Sequence, residues 1–233
     1  VCLSGCAMSP QKETQKVREA STQAVMEEGV IPGGMPVGIY MEMDGVMVLG
    51  TDQITGADGK QYQPAENLVR PGDYIVAFDQ NRIQCKQDLL EDLADLCGES
   101  VTLKVRRGKE TIPLSLTPVK DEKGKYKLGI WVRDDTQGIG TLTYVDENGG
   151  FGALGHGISD VDTGELLSIA DGNLYNAQIL GIRKGEKGNP GELSGLIRYE
   201  ADNILGEISE NSKNGIFGTV DACLLSTSDA ADD

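Results

Sequence analysis

The chain has 233 residues, 39% hydrophobic and 25% charged, which suits one large or two small globular domains with a buried core. Its 37 acidic side chains outnumber 21 basic ones, and the resulting formal net charge of −16 repels phosphate backbones and anionic headgroups, so no nucleic-acid partner is expected. Cys2, Cys6, Cys85, Cys97 and Cys223 form no Cys-x-x-Cys and have a single histidine to join them, which disfavours a metal site, and no stretch approaches the roughly 18 to 20 apolar residues that span a bilayer.

Residues 1–29 read as a leader or linker. Leu3-Ser4-Gly5-Cys6 is either an accidental match or the end of a bacterial lipoprotein signal with lipid on Cys6. Membrane association is expected only through an anchor that precedes the sequence. Gln11 to Glu28 carries Val17, Ala20, Ala24 and Val25 in a weak amphipathic helix that stops at Gly29.

From Val30 to about Pro118 the pattern is a small α/β unit. Val37–Met43 and Val46–Leu49 are predicted strands, joined through Asp44-Gly45 as a hairpin turn. Arg70-Pro71-Gly72-Asp73 is a turn into the short strand Tyr74–Phe78. Lys86 to Leu96 carries Leu89, Leu90, Leu93 and Leu96 at helical spacing and is stopped by Gly98. Cys85 and Cys97 flank that helix and are expected as small buried hydrophobes. Val101–Arg106 and Thr111–Thr117 form a hairpin whose second strand, with Pro113, is an edge.

After the charged linker Asp121-Glu122-Lys123-Gly124-Lys125, short strands are predicted at Leu128–Val132, Gly140–Val145, Leu166–Ile169, Ala177–Ile182 and Ile204–Ile208. Glycine-rich turns break them at regular intervals, which suggests a β-barrel. His156 sits among small residues in Gly152-Ala153-Leu154-Gly155-His156-Gly157-Ile158-Ser159-Asp160. Histidine exchanges a proton near neutrality, so an imidazole cleared of neighbours is a candidate acid or base, and equally a turn residue. Gly150 to Gly155 also fits G-x-G-x-x-G, but no helix pattern follows to receive a pyrophosphate, so no cofactor is expected.

Two resemblances add to this reading. The order of strands, turn, helix and hairpin, with its Arg70-Pro71-Gly72-Asp73 element, resembles a PDZ domain. That resemblance implies capture of a peptide as an added strand, and it makes Pro36, Val37, Gly38 and Ile39 the candidate carboxylate-binding loop, or else a loop without a ligand. The blocks Gly138-Ile139-Gly140-Thr141-Leu142-Thr143-Tyr144, Gly152 to Asp160, Gly188-Asn189-Pro190-Gly191-Glu192 and Gly215-Ile216-Phe217-Gly218, preceded by Val30-Ile31-Pro32-Gly33-Gly34 and Gly38, resemble the stage IV sporulation protein B peptidase family over about Val30 to Val220. The implied fold is mainly β: a PDZ domain over residues 30–119, then part of a chymotrypsin-like β-barrel over 120–220, with 221–233 a non-native or disordered tail.

The implied activity is serine endopeptidase, with His156 as general base and acid and a protein or peptide as substrate. The implied setting is extracytoplasmic and membrane-associated, between the membranes of a developing spore, where cleavage of a membrane-associated regulator triggers a sigma-factor checkpoint. Asp160 or Asp162 is a possible support for the imidazole. Ser194 does not match the nucleophile motif, and residues 1–233 alone are expected to show no histidine-dependent turnover. The alternative is a noncatalytic PDZ adaptor that binds peptide termini.

Overall fold

The computed structural model describes residues 29–220. The leader helix expected over Gln11–Glu28, the expected lipid site at Cys6 and the tail expected over 221–233 lie outside the described residues. In chain order the elements are β1 (Val30–Pro32), β2 (Pro36–Thr51), β3 (Ile54–Thr55), β4 (Gln61–Tyr62), β5 (Tyr74–Phe78), β6 (Asn81–Arg82), α1 (Lys86–Ala94), β7 (Val101–Arg107) and β8 (Glu110–Leu116). They continue with β9 (Val119–Lys120), β10 (Tyr126–Lys127), β11 (Ile130–Asp146), β12 (Gly150–Ala153), β13 (Ile169–Arg183), β14 (Glu192–Ile197), β15 (Ile204–Ser212) and β16 (Gly215–Val220). The fold is mainly β.

Six strands close on themselves. β11 pairs with β12, β12 with β16, β16 with β15, β15 with β13, β13 with β2, and β2 returns to β11, all antiparallel. Closure leaves no unpaired edge around the ring, which is why so glycine-rich a set of strands holds together. Inward-facing Val37, Ile39 and Met41 of β2 meet Leu142, Phe151, Leu174, Ile208 and Ile216 from the other five strands.

β2 does not turn at Asp44-Gly45. The expected hairpin is one continuous strand with a bulge there, and its partner β11 slips register between Arg133 (opposite Met47) and Asp135 (opposite Glu42). Gly45 adopts φ +101°, which disfavours a side chain, and a Cβ there would lie 2.9 Å from the Ile75 carbonyl oxygen. Arg106 fixes the bulge by donating from Nη2 to the Asp44 carbonyl (2.8 Å) and from Nη1 to its carboxylate. The bulge also changes which side chains turn inward. Val37, Ile39 and Met41 fill the barrel before it, and after it Val46 and Val48 fill a second core.

That second core is the α/β unit. β2 passes to β5, then β7, then β8, and α1 packs Leu89 against Val46, Ile75, Phe78 and Leu103. β8 is the outer strand, so Pro113 sits at an edge where its missing N–H leaves no gap in the ladder. α1 begins where Asp88 Oδ2 accepts the Gln84 and Cys85 amides at 2.8 and 3.1 Å. The two flanking cysteines are not buried as expected: Cys85, the residue before α1, is half-buried, and Cys97, beyond the residue that ends it, is exposed.

β2 therefore serves both units. It precedes residue 119 in sequence, yet it completes the ring formed by strands after residue 120, so the sheet does not divide at the expected boundary. Likewise the strands expected separately over Leu128–Val132 and Gly140–Val145 merge, from Ile130 onward, into the single long β11, with Leu128 and Gly129 ahead of it. Among the described residues no helix is long and apolar enough to cross a membrane.

Candidate functional site

His156 is carried out of the barrel by β12. Past Ala153 the chain reverses through Leu154 (φ 70°) and Gly155 (φ 78°), and the imidazole that follows is exposed. Its Nδ1 lies 3.0 Å from the Gly157 carbonyl oxygen. A carbonyl only accepts, so this contact favours the tautomer protonated on Nδ1, which leaves Nε2 the lone pair a general base requires. Gly157 is required by contact: a Cβ there would lie 2.3 Å from the Ser212 carbonyl oxygen and 2.4 Å from Leu166 Cδ1.

The loop beyond the histidine is tied down by two side chains. Asn211 of β15 accepts the Ile158 amide at 2.8 Å and donates to the carbonyls of Ile158 and Leu167 at 2.8 and 2.9 Å. Asp160 is buried, at 2% exposure, and Oδ1 accepts the amides of Asp162 and Thr163 at 3.0 and 2.9 Å. Its Oδ2 meets Arg133 Nη1 at 3.0 Å. The Asp160 carboxylate thus organises the loop, and among the described residues no hydrogen bond joins it to the imidazole. Asp162 is exposed and enters this network only through its amide. Ser194 lies on β14 opposite Gly181, on the ribbon outside the ring, and no hydrogen bond links it to His156.

Pro36, Val37, Gly38 and Ile39 are not a loop. They open β2 with β11 on one side and β13 on the other, Val37 and Ile39 are buried, and Ile197 packs where a Gly38 side chain would stand. With both backbone edges taken, this segment has no room for an added peptide strand, and the expected capture site is corrected accordingly.

A different edge has the required form. Residues Ile130 to Arg133 of β11 pair only with β2, and their other side faces α1 across a groove of about 410 Å³. Leu89, Leu90 and Leu93 of α1 line one wall, Ile130 and Val132 the other, and Trp131 stands 63% exposed at the rim with Nε1 donating to Asp52. Gly129 enters this edge at φ +69°, so Leu128-Gly129-Ile130 is a turn into a half-paired strand. The signal available in sequence was that apolar stretch directly after the charged linker, with the chain's lone tryptophan inside it.

The described residues do not make a metal site. No group of three His, Cys, Asp or Glu among them is placed to hold an ion, and the one histidine uses Nδ1 on a carbonyl.

Comparison with known proteins adds the following. Two proteins named as zinc metalloproteases are similar to part of the chain: one from Xylella fastidiosa is 32% identical over 68 residues, covering 28% of this chain and 15% of the relative. The other, from Clostridium perfringens, is 31% identical over 68 residues, covering 29% and 20%. The chain thus spans no more than 20% of the length of these curated relatives. The PDZ domain of the SdrC-like protein from Listeria monocytogenes is 22% identical, covering 38% of this chain and 87% of its own, with a TM-score of 0.32. The family described as SpoIVB peptidase S55 matches residues 124–231, a span that runs past Val220, where the sequence blocks end, and includes the histidine loop and all the strands of the ring except β2. Over those residues the chain is similar to the SpoIVB peptidase S55 family.

Proposed function

We propose that the chain is a serine-type endopeptidase in which His156 acts as general base and acid and the groove between α1 and β11 holds a peptide. The observation that carries this reading is the imidazole itself: exposed, flanked by glycines, with Nδ1 within 3.0 Å of the Gly157 carbonyl oxygen. In acyl transfer Nε2 takes a proton from a hydroxyl nucleophile and returns it to the leaving amine. Among the described residues no hydroxyl is hydrogen-bonded to it, so the nucleophile is sought outside residues 29–220 or in a rearranged site. Asp160 supports the loop rather than the ring. In the natural full-length protein, His156→Ala lowers kcat by about 10²- to 10⁴-fold if the imidazole is the acid and base. An unchanged kcat sinks the reading.

The groove supports the peptide-binding half. A strand edge beside an apolar helix offers backbone hydrogen bonds to an extended peptide and pockets for alternate side chains. The family name points to sporulation, and we take the substrate to be a membrane-associated regulator cleaved between the membranes of the developing spore. A second reading, a noncatalytic peptide-binding adaptor, is favoured by the same groove and predicts peptide binding that His156→Ala leaves intact with no turnover in either form.

A further inference from the structure

We propose that Arg133 is a positioning residue for His156, and that Arg133 and Asp134 together link the groove beside α1 to the histidine loop. The inference rests on the reading of His156 as the working base and of the groove as a peptide site. It goes further by naming how one acts on the other.

Adjacent residues of a strand project to opposite sides. Here the two sides belong to different parts of the molecule. Arg133 reaches Asp160 Oδ2 at 3.0 Å, and the Asp160 side chain is fully buried. Burying such a carboxylate is costly unless a cation and hydrogen-bond donors meet it, and Arg133 is its one ion-pair partner among the described residues. Through Oδ1 the same carboxylate sets the amides of Asp162 and Thr163, and its backbone closes the loop with Glu165 and Gly164 at 2.9 and 2.8 Å. The order of the segment that begins at His156 therefore depends on where Arg133 stands.

Asp134 faces the other way. Its Oδ2 accepts the amide of Lys86, the first residue of α1, at 2.7 Å, and Oδ1 lies 3.7 Å from Lys86 Nζ. A helix start presents unpaired N–H groups, and this one takes a cap from the strand across the groove. A peptide added at Ile130 to Val132 presses between α1 and β11, and the Asp134 cap is the contact that must follow any change in their spacing. The ladder does little to absorb the shift, because the register with β2 breaks between Arg133 and Asp135. Movement at the cap passes to the next residue in the chain.

The test uses the chain's single histidine as its own reporter. In the 233-residue chain, Asp134→Ala, Arg133→Gln and the double variant are compared by amide exchange at Asp162 and Thr163 and by the His156 Cε1 proton resonance. Exchange at buried Leu103 serves as the control for the core. Each single variant is expected to raise exchange at the two loop amides by on the order of fivefold or more and to displace the His156 resonance. The double variant should do no more than the larger single one, and Arg133→Lys should recover part of the effect. The link is overturned if Asp134→Ala leaves both readouts at their wild-type values, or if the two effects add. The positioning role is overturned if Arg133→Gln does not move the His156 resonance. Should Asp134→Ala also deprotect Leu103, Ile130→Ala takes its place under the same criteria. None of these readouts needs turnover, so the failure of this proposal is distinct from failure of the peptidase reading.

Discussion

Asp73 is 2% exposed, and both of its carboxylate oxygens are met by hydrogen-bond donors. Arg107 donates to it from Nε and Nη2, both at 2.7 Å, and the Arg70 amide donates at 2.8 Å, while Nη2 also meets the Leu68 carbonyl at 3.1 Å. The Arg70-Pro71-Gly72-Asp73 turn is thereby fastened to β7, the strand that pairs with β5. Removing one member of a buried pair leaves the other desolvated and unmatched, so Asp73→Ala is expected to cost about 2–4 kcal/mol. The urea midpoint of unfolding measures it, and a loss below about 0.5 kcal/mol would show the turn to be held by its backbone alone.

Asp121 makes a pH-dependent counterpart. The Lys125 amide, then Lys127, hold its carboxyl below the ordinary carboxylate range, with the Lys123 amide adding to the effect. A carboxyl whose pKa is depressed in the folded state stabilises it above the unfolded value of about 4, and that contribution fades as pH falls through the folded pKa. The turn 121–127 should therefore stay ordered through neutral pH and loosen only below about pH 4. The Lys125 amide shift followed against pH reports this, and in Asp121→Asn its acid-range transition should disappear.

At the scale of the element, glycines separate those that permit contact from those that merely occur. In β16, a Cβ on Gly218 would lie 1.9 Å from the Glu207 carbonyl oxygen of β15, whereas one on Gly181 of β13 meets nothing within 4 Å. Gly218→Ala is expected to cost about 1–3 kcal/mol by forcing two paired strands apart. Gly181→Ala should be neutral or slightly stabilising through the unfolded chain. Equal thermal midpoints for the two variants would contradict the packing of β15 on β16.

The same scale shows what sequence discloses. β5, α1, β7 and β8 were legible because each has one local period and one exit signal: an apolar run between turns, a leucine stripe stopped near Gly98, a hairpin at Arg107-Gly108. β2 and β11 were not, since Asp44-Gly45 has the composition of a hairpin turn and only the Arg106 contacts make it a bulge. His156 stood out by composition, whereas Asn211 and Arg133 gave no local signal because their partners lie 53 and 27 residues away in sequence. The groove was misplaced for a related reason. Pro36 to Ile39 looks like a loop until both neighbouring strands are seen to pair with it.

For the whole molecule, the dual use of β2 makes the two units interdependent. A fragment of residues 120–220 lacks β2, and so exposes the edge of β11 from Gln137 to Thr141 and the edge of β13 from Gly172 to Asn176. It also lacks Val37, Ile39 and Met41, all buried. At about 1.5–3 kcal/mol for each side chain, those three account for about 5–9 kcal/mol of apolar burial. That is comparable with the whole stability of a typical domain, about 5–15 kcal/mol. The fragment should therefore associate through its open edges and melt without a cooperative transition, and a synthetic peptide spanning residues 29–51 should restore both a monomer and a sharp melt. Size-exclusion chromatography and circular dichroism decide it. A fragment that is monomeric and cooperative by itself would mean that the ring closes without β2, and the interdependence of the two units would fail.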